Sequence, residues 1–525
     1  MIYLEGDPMK QFKYRFQLPQ VIVAIIILFQ FVNFLVIPAY PSYDEAWQLQ
    51  AAKSLSEGMG LTVSFDELSL IRISQGEFDL STNTYNYLTG WPPLTSLIYS
   101  CFLLLFSTPL SLGLLKFIFV ALGLWGWFLF IKSRTSNMNE HSIFMLFMGM
   151  LSFSNASTSM FAWALFPYIV IWLINIAEQR NTVRSAILVS MACAILVAFR
   201  YQMLSFVMSI PLFFLITKRR VNKTLFISIL YVLPAFITYV AILYFNITYG
   251  VDIFAATKQF GIMRISTVPR ALPYFLTHIL IGYNFAYSRH IIIAIALAIL
   301  TNVVFLYSIV RNHSAYDKMV LNVILAFGLV TFFQLAFNKD HAGYNIIINA
   351  RYWMYLSPLI LYMILDGYFR KPIIKFSALI QFGNRQVYLS AALVLCCVLC
   401  CAYFTHRTYQ ISQRYYNNYS SLTAMLDRVA HTNNFEPSET LVFIGMEDPN
   451  NLSSILLQYD KYPVFRRLDI LNNDQVFISG NEKIVLMVHD SVAWQDRISA
   501  KWNRELLDNQ QGYSMYLLSE QALCN

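Results

Sequence analysis

The sequence predicts a mostly α-helical, polytopic membrane bundle followed by a small C-terminal α/β domain outside the membrane. Three observations predict it. The chain of 525 residues is 57% hydrophobic and 13% charged, about half the charge of an average soluble chain. Apolar runs of helical length recur between residues 18 and 404. From about residue 405 polar residues dominate and short β-like runs appear: Thr440-Leu441-Val442-Phe443-Ile444, Gln475-Val476-Phe477-Ile478 and Lys483-Ile484-Val485-Leu486-Met487-Val488. The net charge of +8 does not mark a nucleic-acid partner. Topology and anionic lipid headgroups account for the cations better.

Lys10, Lys13 and Arg15 precede the first run, 18–37, so its start is expected in the cytoplasm. The run lacks a small-residue cleavage site and reads as a retained signal anchor. The chain leaves it at Tyr40-Pro41-Ser42-Tyr43-Asp44-Glu45-Ala46-Trp47, with two adjacent carboxylates at the membrane exit. Trp47, Ala51, Leu55 and Met59 then recur every fourth residue, the apolar face of a helix that Gly58 and Gly60 stop. Ser42-x-x-Glu45 has the form of a capping box, and Asp44 suits the helix dipole. One capping box uses one carboxylate, which leaves Asp44 the less explained of the two.

The polar loop 40–90 is longer than a connection needs, and such loops usually carry function. Trp91-Pro92-Pro93-Leu94 opens a stretch to residue 131 with a weak break at 107–111. Further runs cover 143–153, 161–176, 186–199, 204–216, 225–244, 271–287, 291–310, 319–337, 352–365 and 387–404. Several fall short of the about 20 residues of a straight span and require a packed bundle. Placing Lys218, Arg219, Arg220, Lys223, Arg311, Lys318, Arg370, Lys371 and Lys375 in the cytoplasm puts 155–160, 200–202, 246–270, 338–351 and everything after about 406 outside. About eleven crossings are expected, with interfacial or re-entrant segments besides. Two domains follow: a membrane domain, 1–404, and an outer α/β domain, 405–525, with helical stretches expected at 422–430 and 496–507. Cys396, Cys397, Cys400 and Cys401 sit inside an apolar run and read as small polarizable packing residues. No disulfide framework, nucleotide-binding glycine motif or long repeat is visible.

Acid and base are separated along the chain. The first loop supplies Asp44 and Glu45. Later outer loops supply Arg200, then Lys258, Arg264 and Arg270 against Asp252, then Lys339, Asp340, His341 and Arg351. A lipid-linked phosphate needs cations at the membrane surface to hold the leaving group. A hydroxyl or amine acceptor needs a carboxylate base. Each cation also has a plain reading: Arg351 can snorkel to the headgroups, Arg200 can anchor a helix end, and Lys258, Arg264 and His341 can be solvated loop residues. As a group on the outer side they run against the positive-inside trend, which points to function.

An apolar segment ending in Pro38-x-x-x-x-x-Asp44-Glu45, then Ala52-Lys53-Ser54-Leu55-Ser56-Glu57-Gly58-Met59-Gly60, then Trp91-Pro92-Pro93-Leu94, resembles the polyprenyl-phosphate-sugar-dependent glycosyltransferases of the GT-C fold. The similarity is to the protein O-mannosyltransferase and aminoarabinose (lipid A) transferase group. It extends loosely to about Phe369 through Ala350-Arg351-Tyr352 and Leu356-Ser357-Pro358-Leu359. The resemblance implies Asp44 as catalytic base with Glu45 beside it, and Arg351 as the best match for a donor-phosphate ligand. Arg200, Lys258 and Arg264 are candidates for the same phosphate, with His341 and Tyr352 as further candidates. Relatives often carry another acidic residue in the outer loop after the first few spans, and 155–160 has none. No cofactor is therefore assigned and a divalent cation stays open. The partners expected are a polyprenyl-phosphate-linked sugar, a glycan, lipid or protein acceptor, and membrane lipids. The chain shows no eukaryotic retention signal, so a bacterial inner membrane is expected, with the site facing the periplasm. The rival readings are a transporter or flippase of a lipid-linked glycan, which would favour repeated halves, and a non-catalytic scaffold.

Overall fold

The computed structural model describes residues 18–41, 43–63, 78–79, 86–87, 92–154, 159–180, 182–200, 203–218, 221–249, 303–307, 309–310, 317–336, 355–370, 385–436, 439–445, 464–465, 471–472, 476–477, 483–489, 494–510 and 512–520. Twelve long helices are described: α1 (Leu18–Val36), α2 (Tyr43–Ser56), α3 (Leu94–Leu103), α4 (Thr108–Arg134), α5 (Met138–Ser154), α6 (Ser159–Ala177), α7 (Thr182–Phe199), α8 (Met203–Lys218), α9 (Val221–Tyr249), α10 (Lys318–Ala336), α11 (Ser357–Arg370) and α12 (Arg385–Thr432). Five described helices are long and apolar enough to cross a membrane: α1, α4, α6, α7 and α12. The chain is a multi-pass membrane protein, mostly helical, with a small C-terminal sheet domain. The segments 271–287 and most of 291–310 lie outside the described residues, and no count of crossings is drawn.

Helix ends follow the local chemistry. The expected break between α3 and α4 is present: Ser107 is extended at the N-cap of α4, a proline follows in the first turn, and Lys132 and Arg134 complement the dipole in the last. Arg134 reaches Glu178 at 3.2 Å and Asp317 at 3.4 Å, tying the ends of α4 and α6 to the start of α10. Asp317 also accepts from the backbone N–H of Met319 and Val320, capping α10.

The bundle core is aromatic and close-packed. Trp127, Phe130, Phe144, Trp163, Phe166 and Tyr362 are fully buried in one apolar cluster. The α4–α6 contact depends on Gly123: a Cβ there would run into the Trp163 ring, so the two helix backbones approach only because the side chain is absent.

The C-terminal sheet has the order β5-β4-β7-β9-β8, from β4 (Thr440–Gly445), β5 (Val464–Phe465), β7 (Lys483–His489), β8 (Trp502–Gln510) and β9 (Tyr513–Glu520). β4 pairs parallel with β5 and β7; β9 pairs antiparallel with β7 and β8. Alternation divides the core with a period of two. Val442, Ile444, Val485 and Met487 face α12 and α2, while Leu441, Phe443, Ile484, Leu486 and Val488 face Trp494, Ile498 and Trp502. With both faces covered, the strands read as continuous apolar runs. Three short strands stand in or near the first loop: β1 (Thr62–Val63), β2 (Phe78–Asp79) and β3 (Asn86–Tyr87). β1 pairs with β3, and β2 pairs parallel with β6 (Val476–Phe477), joining the first loop to the C-terminal domain.

One expectation is corrected and one element is longer than its apolar run. Residues 496–507 are not a helix: Gln495–Arg497 form one 3-10 turn and Trp502–Gln510 form β8. Helix formers such as Glu505 and Leu506 are overruled by the ladder to β9, which Gly512 closes at φ +80°. The helix that carries the last apolar run does not stop where that run ends, near 404, and it takes in the helical stretch expected at 422–430. The helix α12, 48 residues in all, continues to Thr432, because Leu422, Met425, Leu426 and Val429 carry a buried stripe at helical spacing after the general hydrophobicity falls.

Candidate active site

The corner between α1 and α2 is held by side chains from elsewhere. Pro38, Ala39 and Tyr40 lie between two helices, so their carbonyls have no ladder to join. Each finds a donor: Ser412 Oγ donates to Pro38 O at 2.7 Å, Tyr416 OH to Ala39 O at 2.7 Å, and Lys116 Nζ to Tyr40 O at 3.2 Å. Two donors come from α12 and one from α4. The Tyr40 ring stacks on Tyr415, with centroids 5.4 Å apart.

α2 begins at Tyr43, immediately after the expected N-cap position, Ser42, which lies outside the described residues. Its C-terminus closes as read: Gly58 takes φ +84°, Gly58 N–H donates to Leu55 O and Met59 N–H to Ser54 O at 2.8 Å. The expected single apolar face is exceeded. Ala46, Trp47 and Ala51 pack on the C-terminal domain, while Leu49 and Ala52 pack with Tyr99, Leu112, Leu115, Phe161 and Phe199. α2 is thus clamped on two sides, and Met59, past its end, is exposed.

Glu45 is 1% exposed, and its carboxylate lies 3.3 Å from Lys116 Nζ. Lys116 therefore holds both the corner carbonyl of Tyr40 and an acid in the first turn of α2. Burial first, then the Glu45 carboxylate, pushes the Tyr40 hydroxyl up to about 12, against a smaller opposing pull from Arg407. Tyr40 stays neutral at physiological pH. Asp44 precedes Glu45 in the first turn, offset by about 100° around the helix axis; its side chain lies outside the described ones.

Across from α2, α3 presents buried Thr95, Ser96 and Tyr99, and α2 presents buried Gln48. Their side-chain polar atoms have no hydrogen-bond partner among the described residues. A buried polar floor beside an ion-paired acid is costly to leave without partners.

Arg200 ends α7 and is 1% exposed, among the largest fully buried side chains. Its neighbour Phe199 packs on Phe119 and Phe161, and Phe161 on Tyr99. Arg200 is thus at the same end of the bundle as α2 and α3. Lys258, Arg264, His341, Arg351 and Tyr352 lie outside the described residues. No group of three or more His, Cys, Asp or Glu positioned for a metal occurs among the described residues, and the described cysteines are free thiols.

Sequence reasoning missed Lys116, Tyr40, Tyr99 and Arg407. For Lys116 a signal exists: it is the sole charged residue between Trp91 and Ile131, and an ionisable group inside an apolar run marks function by default.

The membrane bundle, the clamped acidic helix at its end and the sheet domain beside it together form the GT-C fold. The chain is similar to the crystal structure of ArnT from Cupriavidus metallidurans bound to undecaprenyl phosphate, with a TM-score of 0.53 and 11% identity over 95% of this chain and 97% of that one. At that identity the likeness is one of fold. No protein-family model matches the chain, and no curated protein matches it.

Proposed function

We propose that the chain is an integral membrane glycosyltransferase that moves a sugar from a polyprenyl-phosphate-linked donor to an acceptor. The reaction takes place where α2 and the sheet domain stand, the non-cytoplasmic face by loop charge, and the periplasmic face if the host is bacterial. One observation carries this reading: a fold shared end to end with a protein solved with undecaprenyl phosphate bound. The acidic pair of α2 at the membrane exit supports it.

Asp44 takes the proton of the acceptor hydroxyl or amine as that atom attacks the anomeric carbon. The bond from the anomeric carbon to phosphate breaks, and the lipid phosphate leaves with the electron pair. A single displacement of this kind inverts the anomeric centre, for a hexose or a pentose donor. Arg200, Arg351, Lys258 and Arg264 supply the cations that stabilise the leaving phosphate. Glu45, buried against Lys116, holds the start of α2 so that Asp44 is positioned, rather than sharing the proton.

The test compares purified wild type with Asp44→Asn on a mixed pool of radiolabelled polyprenyl-phosphate sugars, with an acceptor-rich membrane extract supplied. Turnover by wild type alone is expected and names the donor. Turnover by Asp44→Asn removes Asp44 as the base. No turnover by either, with labelled lipid crossing vesicles, replaces this reading with that of a flippase.

A further inference from the structure

A recess of about 250 Å³ lies between α1, α4, α5 and α12, close to the corner but distinct from the polar floor of α2 and α3. Phe34, Phe117, Phe153 and Phe404 form apolar walls, and Lys116 and Arg407 bring two cations. Among the described residues, no carboxylate lines it. Lys116 is already engaged by Glu45. Arg407 has no carboxylate partner among the described residues. Asn33 also lines the recess; it is 8% exposed, and its Oδ1 has no hydrogen-bond partner among the described residues. Below it Gln30 donates to Ser152 at 3.1 Å.

These features fit one kind of occupant. Arg407, with no carboxylate partner among the described residues, and Lys116, which lines the recess with it and also holds Glu45, favour an anion. Aromatic walls on apolar helices select something that lives in the bilayer. A buried amide oxygen without a donor selects a headgroup that carries a hydroxyl. The volume is below the usual range of a whole-ligand pocket, about 300–1,000 Å³, which suits a headgroup whose chains run along the exposed Leu28, Phe31 and Leu35 of α1. We infer that the recess between α1, α4, α5 and α12 is a binding site for an anionic glycerophospholipid with a hydroxyl-bearing headgroup, its phosphate held by Arg407 and Lys116. This inference does not rest on the glycosyltransferase reading. Lys116 lines the recess and also holds Glu45, so the lipid and the start of α2 share one cation.

The test uses the full chain in phosphatidylcholine nanodiscs titrated with phosphatidylglycerol, and reads lipid retained after exchange into detergent by native mass spectrometry. Wild type is expected to retain one phosphatidylglycerol in preference to phosphatidylcholine, and free inorganic phosphate should not displace it. Arg407→Gln should weaken retention about tenfold, the loss of one charge-assisted hydrogen bond, and Arg407→Lys should recover part of it. Gly113→Leu should abolish retention. Even a Cβ at Gly113 would come within 3.1 Å of the Phe34 ring and 3.4 Å of Ala39, both of which line the recess. If Gly113→Leu does not fold, Arg407→Gln decides alone. Equal retention by wild type and Arg407→Gln, equal retention of the two lipids, or displacement by inorganic phosphate would each overturn the inference.

Discussion

Lys116 is the residue on which the site turns. It is 20% exposed and faces a carboxylate that is 1% exposed. Removing the ammonium leaves Glu45 buried without its cation, a change that typically costs about 3 kcal/mol. Lys116→Met is therefore expected to lower the thermal midpoint clearly, with Lys116→Arg recovering part of it; differential scanning fluorimetry in detergent reads both. Glu45→Gln paired with Lys116→Met should be less damaging than Lys116→Met alone, since the buried charge is gone. Tyr40 gives a pH test at the same spot. Below about pH 10 its hydroxyl is protonated in both folded and unfolded chains and contributes no pH dependence. Between there and about 12 only the unfolded chain loses the proton, so stability falls as pH rises through that window. Tyr40→Phe should flatten that part of the stability curve, measured as midpoint against pH.

At the scale of elements, the α1–α2 corner and the α4–α6 seam carry separate predictions. Ser412 and Tyr416 each give the corner one hydrogen bond, worth about 1 kcal/mol. The double variant Ser412→Ala with Tyr416→Phe should loosen the corner, lowering transfer activity more than it lowers the thermal midpoint. Gly123→Ala forces the Trp163 ring to move and should cost about 1–3 kcal/mol. Adding Trp163→Phe should return part of that loss, which a double-mutant cycle on thermal midpoints would show. The helices of the bundle were legible in sequence because apolar runs and their ends are local properties. α2 was legible for the same reason: its glycines, its acidic first turn and its four-residue spacing all act within one segment. β8 was not, since Trp502–Gln510 becomes a strand only when β9 offers a ladder. Nor was the full length of α12, whose outer half is recognised by what its stripe packs against.

Across the whole molecule, the sheet domain packs against the membrane bundle's α2. Ala46, Trp47 and Ala51 pack in the same cluster as Leu422, Val442, Val485 and Met515, and β2 pairs with β6. Trp47→Ala removes a buried indole, a loss of about 3–5 kcal/mol at such sites. It should leave the bundle intact while limited proteolysis releases the sheet domain faster than in wild type. Composition and periodicity alone determined that this chain crosses a membrane many times, that an acidic helix stands where it first emerges, and that an α/β domain follows. Those are statements about hydrophobicity and spacing, which a chain carries locally. Only the tertiary structure decided that Glu45 is held by Lys116, that α2 is clamped on both sides rather than lying on one, that Arg200 is buried at the same end of the bundle, and that Lys116 and Arg407 line one recess. Such facts depend on which distant segments meet, and burial then gives a charge or an unpaired amide an energy that it lacks in the extended chain.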